Sequence, residues 1–114
     1  MLIKKDQAKT IKISENMSIT EYDMNTKDIG ITVAKINGRY PEEGFALNKE
    51  CQEIYYVLRG TGEVFIDNQS FKIEEGDTIL INKNKKYYLI GNSLKIVCPT
   101  VPAWTEKQHE TIKD

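Results

Sequence analysis

Between residues 10 and 98 the chain is a succession of short runs rich in Ile, Val, Tyr, Phe and Thr, and none lengthens into the apolar period of a helix. This rhythm restricts the fold more than any other feature, because short strands must bury a face on a second sheet or on their own sheet curled round. Ten runs are expected as strands: residues 10–13, 17–22, 30–36, 45–49, 53–58, 62–66, 70–73, 78–81, 87–90 and 94–98. An all-β sandwich or barrel follows. Asp67-Asn68 is read as a tight hairpin turn, since Asn tolerates the left-handed backbone, and Gly76 as the positive-φ residue of a second turn. Pro99 and Pro102 cannot donate within a central strand, so the strand series is expected to end there. Beyond them Thr105-Glu-Lys-Gln108 has the order of a capping box, which predicts a short C-terminal helix over residues 105–111 held by Trp104.

With 114 residues, 39% hydrophobic and 29% charged, the chain is expected to form one domain, residues 1–114, with a genuine core. Sixteen basic and seventeen acidic side chains leave a net charge of −1, which argues against nucleic-acid or membrane partners. Lys83, Lys85 and Lys86 read as a solvated turn. No apolar stretch approaches the roughly 18 residues of a membrane span, and the first residues lack the core of a secretory signal. Two cysteines, Cys51 and Cys98, give no sign of a disulfide scaffold, so a cytoplasmic location is expected.

Two stretches resemble the paired motifs of the cupin superfamily. The first runs from Gly44 to Gly60 and includes Glu53-Ile-Tyr-Tyr-Val-Leu-Arg-Gly60. The family pattern there is Gly, five residues, His-x-His, three or four residues, Glu, six residues, Gly. The second runs Gly76-Asp-Thr-Ile-Leu-Ile81-Asn82-Lys-Asn84-Lys-Lys-Tyr87, against Gly, five residues, Pro-x-Gly, two residues, His. The resemblance implies a small antiparallel β-barrel or jelly roll, the cupin double-stranded β-helix. It also implies where the family's ligands would stand. Where the family places the two histidines of the first motif this sequence has Leu47 and Lys49, and where it places the histidine of the second it has Tyr87. Glu53 alone survives. One carboxylate beside an ammonium is a poor site for a divalent transition metal, so no metal and no cofactor are expected.

Strand alternation puts Leu47 and Lys49 on one face and Glu53, Tyr55 and Val57 on one face of the next strand. If that face lines the barrel, Lys49 supplies the charge a buried Glu53 needs and the Tyr87 hydroxyl donates to it. The expected ligand-binding set is therefore Leu47, Lys49, Glu53, Tyr55 and Tyr87, with Glu53 and Tyr87 the catalytic candidates. The competing reading makes Glu53 a structural relic and lets Lys49 reach solvent. Tyr40 either roofs the pocket or packs on the barrel. His109 is a general base only if the tail folds over the barrel mouth, and otherwise a surface histidine. Neither cysteine has a neighbour that would activate its thiol.

Three functions fit these residues: a small-molecule-binding protein for a sugar-like or carboxylate-like ligand, a metal-free isomerase, epimerase or lyase using Glu53 and Tyr87, or a structural interaction module. Ile54, Tyr56 and Leu58 alternate outward against the inward set and need a cover, either the other sheet edge, the N-terminal strands or a second subunit; a homodimer is expected.

Overall fold

The computed structural model describes residues 1–113, and its strands join in one nine-stranded antiparallel sheet. The strands are β1 (Lys9–Ser14), β2 (Met17–Tyr22), β3 (Gly30–Tyr40), β4 (Phe45–Asn48), β5 (Gln52–Ile66), β6 (Gln69–Glu74), β7 (Thr78–Ile81), β8 (Tyr87–Val101) and β9 (His109–Ile112). The main path runs β1-β2-β3-β8-β4-β9, while β5 pairs with β6, β7 and β8. Among the described residues no helix is long and apolar enough to cross a membrane.

Two long strands replace four of the expected short ones. β5 unites 53–58 with 62–66, and β8 unites 87–90 with 94–98. Each bends where the sequence had suggested a break: Gly60 has φ +81° and Ser93 φ +49°, and the β5–β8 register shifts between Val57 and Thr61. A side chain at Gly60 would meet the Ser93 carbonyl at 2.1 Å, so only glycine lets the two corners cross. The sheet thereby curls on itself around Ile36, Val57, Val64, Leu89, Leu94 and Ile96, all buried.

The turns behave as their residues dictate. Asp67 and Asn68 both take positive φ (49° and 67°), as a two-residue hairpin requires, and Gly76 has φ +90°. Pro99 corrects the expectation that the strand stops before it, for β8 continues to Val101. Pro99 stands opposite Ile31 on β3, while the β5 ladder skips Cys98 and Pro99, so no β5 bond is asked of its nitrogen.

The tail corrects a second expectation. The short C-terminal helix is only a 3-10 turn, Glu106–Gln108, and His109–Ile112 forms a strand against β4. Gln108 does not close a capping box on Thr105. Its side-chain oxygen instead accepts from the backbone N–H of Glu50 and Cys51, at 3.1 and 3.2 Å. Satisfying two donors in the β4–β5 turn draws the tail onto the edge of β4, where extended backbone can pair.

Candidate functional site

Glu53 is the second residue of β5, and the alternation Glu53, Tyr55, Val57 faces inward with 8%, 3% and 1% exposure. On β4 the inward residues are Ala46 and Asn48. Tyr87, the first residue of β8, also points inward, 2% exposed, after a turn in which Asn84 adopts φ +63° as a glycine would.

Asn48 Nδ2 donates to Glu53 Oε1, and the Tyr87 hydroxyl donates to the same oxygen at 3.3 Å. Asn48 Oδ1 accepts from Gln108 Nε2 and from His109 Nδ1, each at 2.9 Å. The Tyr40 hydroxyl completes the chain at His109 Nε2, 3.0 Å away. The direction of every bond follows from the backbone. Glu50 and Cys51 can only donate, so the Gln108 oxygen accepts and its amide nitrogen must donate to Asn48. Asn48 Oδ1 is then an acceptor, so His109 carries its proton on Nδ1 and leaves Nε2 bare for Tyr40. Trp104 lies against the imidazole, ring centroids 5.4 Å apart.

Burial raises the Glu53 carboxyl above its ordinary value, and the bonds from Asn48 and Tyr87 only partly offset this. No cationic side chain among the described residues forms an ion pair with it. Burial, with the Glu53 charge second, raises Tyr55, Tyr87 and Cys98 well above their usual values and pushes Tyr40 and Cys51 up to about 12. These hydroxyls and thiols stay protonated at neutral pH. Burial lowers His109, favouring neutral imidazole.

A further polar group stands on the Glu53 row. Thr100 sits directly opposite Glu53 in the β5–β8 ladder and is 4% exposed, and its buried hydroxyl has no hydrogen-bond partner. The side-chain bonds to Glu53 all fall on Oε1, none on Oε2.

Of the expected set, Glu53, Tyr55 and Tyr87 come together, with the Tyr55 and Tyr87 rings edge-on at 6.5 Å. Leu47 and Lys49 do not join them. Leu47 is half-buried on the other face of β4, opposite Glu110 of β9, and the exposed Lys49 ammonium pairs with Glu110 at 3.1 Å. The expected Lys49–Glu53 pair is therefore replaced by Asn48–Glu53. The first motif allows three or four residues before its glutamate: three selects Leu47 and Lys49, four selects Ala46 and Asn48, and the inward face follows the second count. Asn48, Gln108 and Thr100 are absent from the expected set; Tyr40 packs against the core, with its hydroxyl on His109, and His109 is half-buried rather than a surface histidine.

A curled antiparallel sheet with paired motif strands facing a common interior defines a barrel of the double-stranded β-helix class. The chain belongs to the cupin family: the cupin-domain profile Cupin_2 matches residues 41–98, just over half of it. In structure it is similar to Pac13, described as a unique nucleoside dehydratase, with a TM-score of 0.88, 15% identity, and coverage of 99% of this chain and 91% of that one. A Streptomyces PAC13 variant with a tyrosine-to-phenylalanine change, solved with uridine, gives TM-score 0.86, 16% identity, and 99% and 93% coverage. In sequence it is 37% identical over 65 residues to the uncharacterized protein MJ1618 of Methanocaldococcus jannaschii, covering 54% of this chain and 52% of that protein. The chain thus spans about half the length of this curated relative.

The residues present do not fit a divalent transition metal. Glu53 is the one carboxylate of the network, the Asn48 oxygen already accepts two hydrogen bonds, burial keeps the Tyr87 hydroxyl protonated, and both His109 nitrogens are engaged. Among the described residues no group of three or more His, Cys, Asp or Glu gathers at metal-binding reach.

Proposed function

We propose that the barrel binds a small, neutral, hydroxyl-rich molecule of sugar or nucleoside type and moves a proton on it without a metal, as a lyase or isomerase does. The observation that carries this reading is the inward row of Glu53 and Thr100, a buried carboxyl beside a buried hydroxyl with no protein partner. Orphaned buried polar groups are rare and call for a ligand group that satisfies them. A neutral ligand suits the site better than a carboxylate, because Lys49 is committed to Glu110 and leaves Glu53 without a cation.

Two titratable groups of opposite tendency support proton transfer. Glu53 holds its proton more tightly than an ordinary carboxyl, His109 less tightly than an ordinary imidazole, and Asn48 ties both to one point. Glu53 is assigned as the acid or base that touches the ligand, and Tyr87 orients it. The nucleoside dehydratase named above performs chemistry of this class on a barrel of the same shape. Binding without turnover is the second reading, favoured by the fact that all partners of Glu53 are already neutral and satisfied.

A thermal-shift screen with sugars, nucleosides including uridine, and nucleotide sugars tests the proposal. One compound class should raise the melting temperature of the native chain, with Glu53→Gln and Thr100→Val losing that rise while folding normally. Turnover of the stabilising compound, abolished in Glu53→Gln, selects the enzyme over the binder. Equal stabilisation of native chain and both variants, or near-stoichiometric metal on protein purified without tag or chelator, overturns the reading.

The same proposal includes a homodimer. Ile54, Tyr56, Leu80 and Val101 occupy adjacent outward positions on β5, β7 and β8 and are 42–54% exposed, an apolar face that a second copy would cover.

A further inference from the structure

The outer face of the sheet carries a row of cations that the Glu53 site does not use. In the strand registers Lys12 faces Ser18, Ser18 faces Lys35, Lys35 faces Lys95, and Lys95 faces Arg59, so one row crosses β1, β2, β3, β8 and β5. Neighbouring strands lie about 4.8 Å apart, so Lys35, Lys95 and Arg59 are set side by side over about 10 Å. Like charges directly opposite one another destabilise a sheet. No ion pair relieves them: among the described residues the ion pairs involve Lys12, Lys49, Lys85 and Lys113, and none involves Lys35, Arg59 or Lys95. In a chain of net charge −1, such a concentration is a local feature rather than a reflection of composition.

The row also borders a hollow. A groove of about 810 Å³ lies against Lys35, Lys95 and Arg59, with Ser18 and Ser93 as hydroxyl donors and Leu94 on its apolar side. Its size suits a small molecule rather than a solvated ion. A second copy of this chain is a poor occupant of this end, because it would bring the same cations, and Glu15, the one acid in the groove lining, is already paired with Lys12.

We infer that Lys35, Lys95 and Arg59 form a binding site for a small molecule carrying two or more phosphate groups. Linked phosphates would neutralise adjacent members of the row, Arg59 offering a planar fork and the lysines point charges. The occupied groove converts a repulsive row into a charge-compensated one. The site is separate from Glu53 and does not depend on its chemistry.

Isothermal titration of the full chain with inorganic tripolyphosphate, at low and near-physiological salt, tests it. Saturable binding at one site per chain is expected, weakening as salt rises. Lys95→Gln should weaken it about tenfold, and the Lys35→Gln, Lys95→Gln pair should remove it. Without phosphate, the paired variant should melt no lower than the native chain, since repulsion has been relieved. Should that pair fail to fold, the exposed Arg59→Gln carries the same expectation. Replacing Lys83, Lys85 and Lys86 with Gln should leave binding unchanged, as should Glu53→Gln, so this inference and the Glu53 reading fail separately. No saturation at low salt, or equal weakening in the Lys83, Lys85, Lys86 control, overturns it.

Discussion

Asn48 is the residue on which the site is wired. Its amide joins the carboxyl of β5 to the imidazole and amide of the tail, and it is 1% exposed. Asn48→Ala leaves Glu53, Gln108 and His109 each short of a partner, so a loss of about 3 kcal/mol is expected in chemical denaturation. Glu53 sets a pH dependence. Its folded value lies above the ordinary 4.5, so the fold favours the protonated acid; that stability is complete below pH 4.5 and is lost as pH rises through the folded value. Glu53→Gln cannot titrate there, and it should gain on the native chain as pH rises from about 4 to about 8, by on the order of 1 kcal/mol for each unit by which the carboxyl is raised. Melting curves of both proteins across that range check the sign. His109 works the other way, its lowered value making acid below 6.5 destabilising. At this scale the sequence disclosed Glu53, Tyr55 and Tyr87, because motif spacing and period-two alternation place them. It hid Asn48 because the motif tolerates two spacings, and it hid Gln108 because a side chain that reads as a local cap bonds 57 residues away.

Among the elements, the strands were legible and their lengths were not. Alternation marks where a strand faces inward, but it cannot tell a break from a corner, and Gly60 and Ser93 are corners. The tail was misread for a related reason: Thr105–Gln108 has helix-capping chemistry, yet the competing donors of Glu50 and Cys51 are supplied by tertiary structure. The register of β4 has a direct test. Histidines placed at the inward positions, Ala46→His and Asn48→His together with Tyr87→His, should join Glu53 in holding zinc or manganese at near one equivalent. The set Leu47→His, Lys49→His and Tyr87→His should hold far less, because two of its imidazoles face away. Metal content after desalting distinguishes the two, and equal uptake would refute the inward face described for β4.

At the scale of the molecule, the outer face divides into an apolar part and a cationic end. The apolar part, centred on Tyr56 at 45% exposure, predicts association. Light scattering at tens of micromolar should give twice the chain mass, and Tyr56→Glu should give the chain mass with little change in secondary structure. A native monomer would remove the homodimer from the proposed function. The interior and this face were both foreshadowed by the outward set Ile54, Tyr56 and Leu58. The cationic row was invisible, because its members are scattered along the chain and only the strand registers bring them abreast.

Among the described residues β9 pairs with β4 alone, and both strands have four residues. That outermost strand carries His109 and follows directly on Gln108. Were it to leave β4, the imidazole would part from Asn48 and Tyr40 together, so one edge strand holds both ends of the hydrogen-bond chain in place. Hydrogen exchange at the amides of 109–112 should accordingly be quicker than at those of β5 and β8.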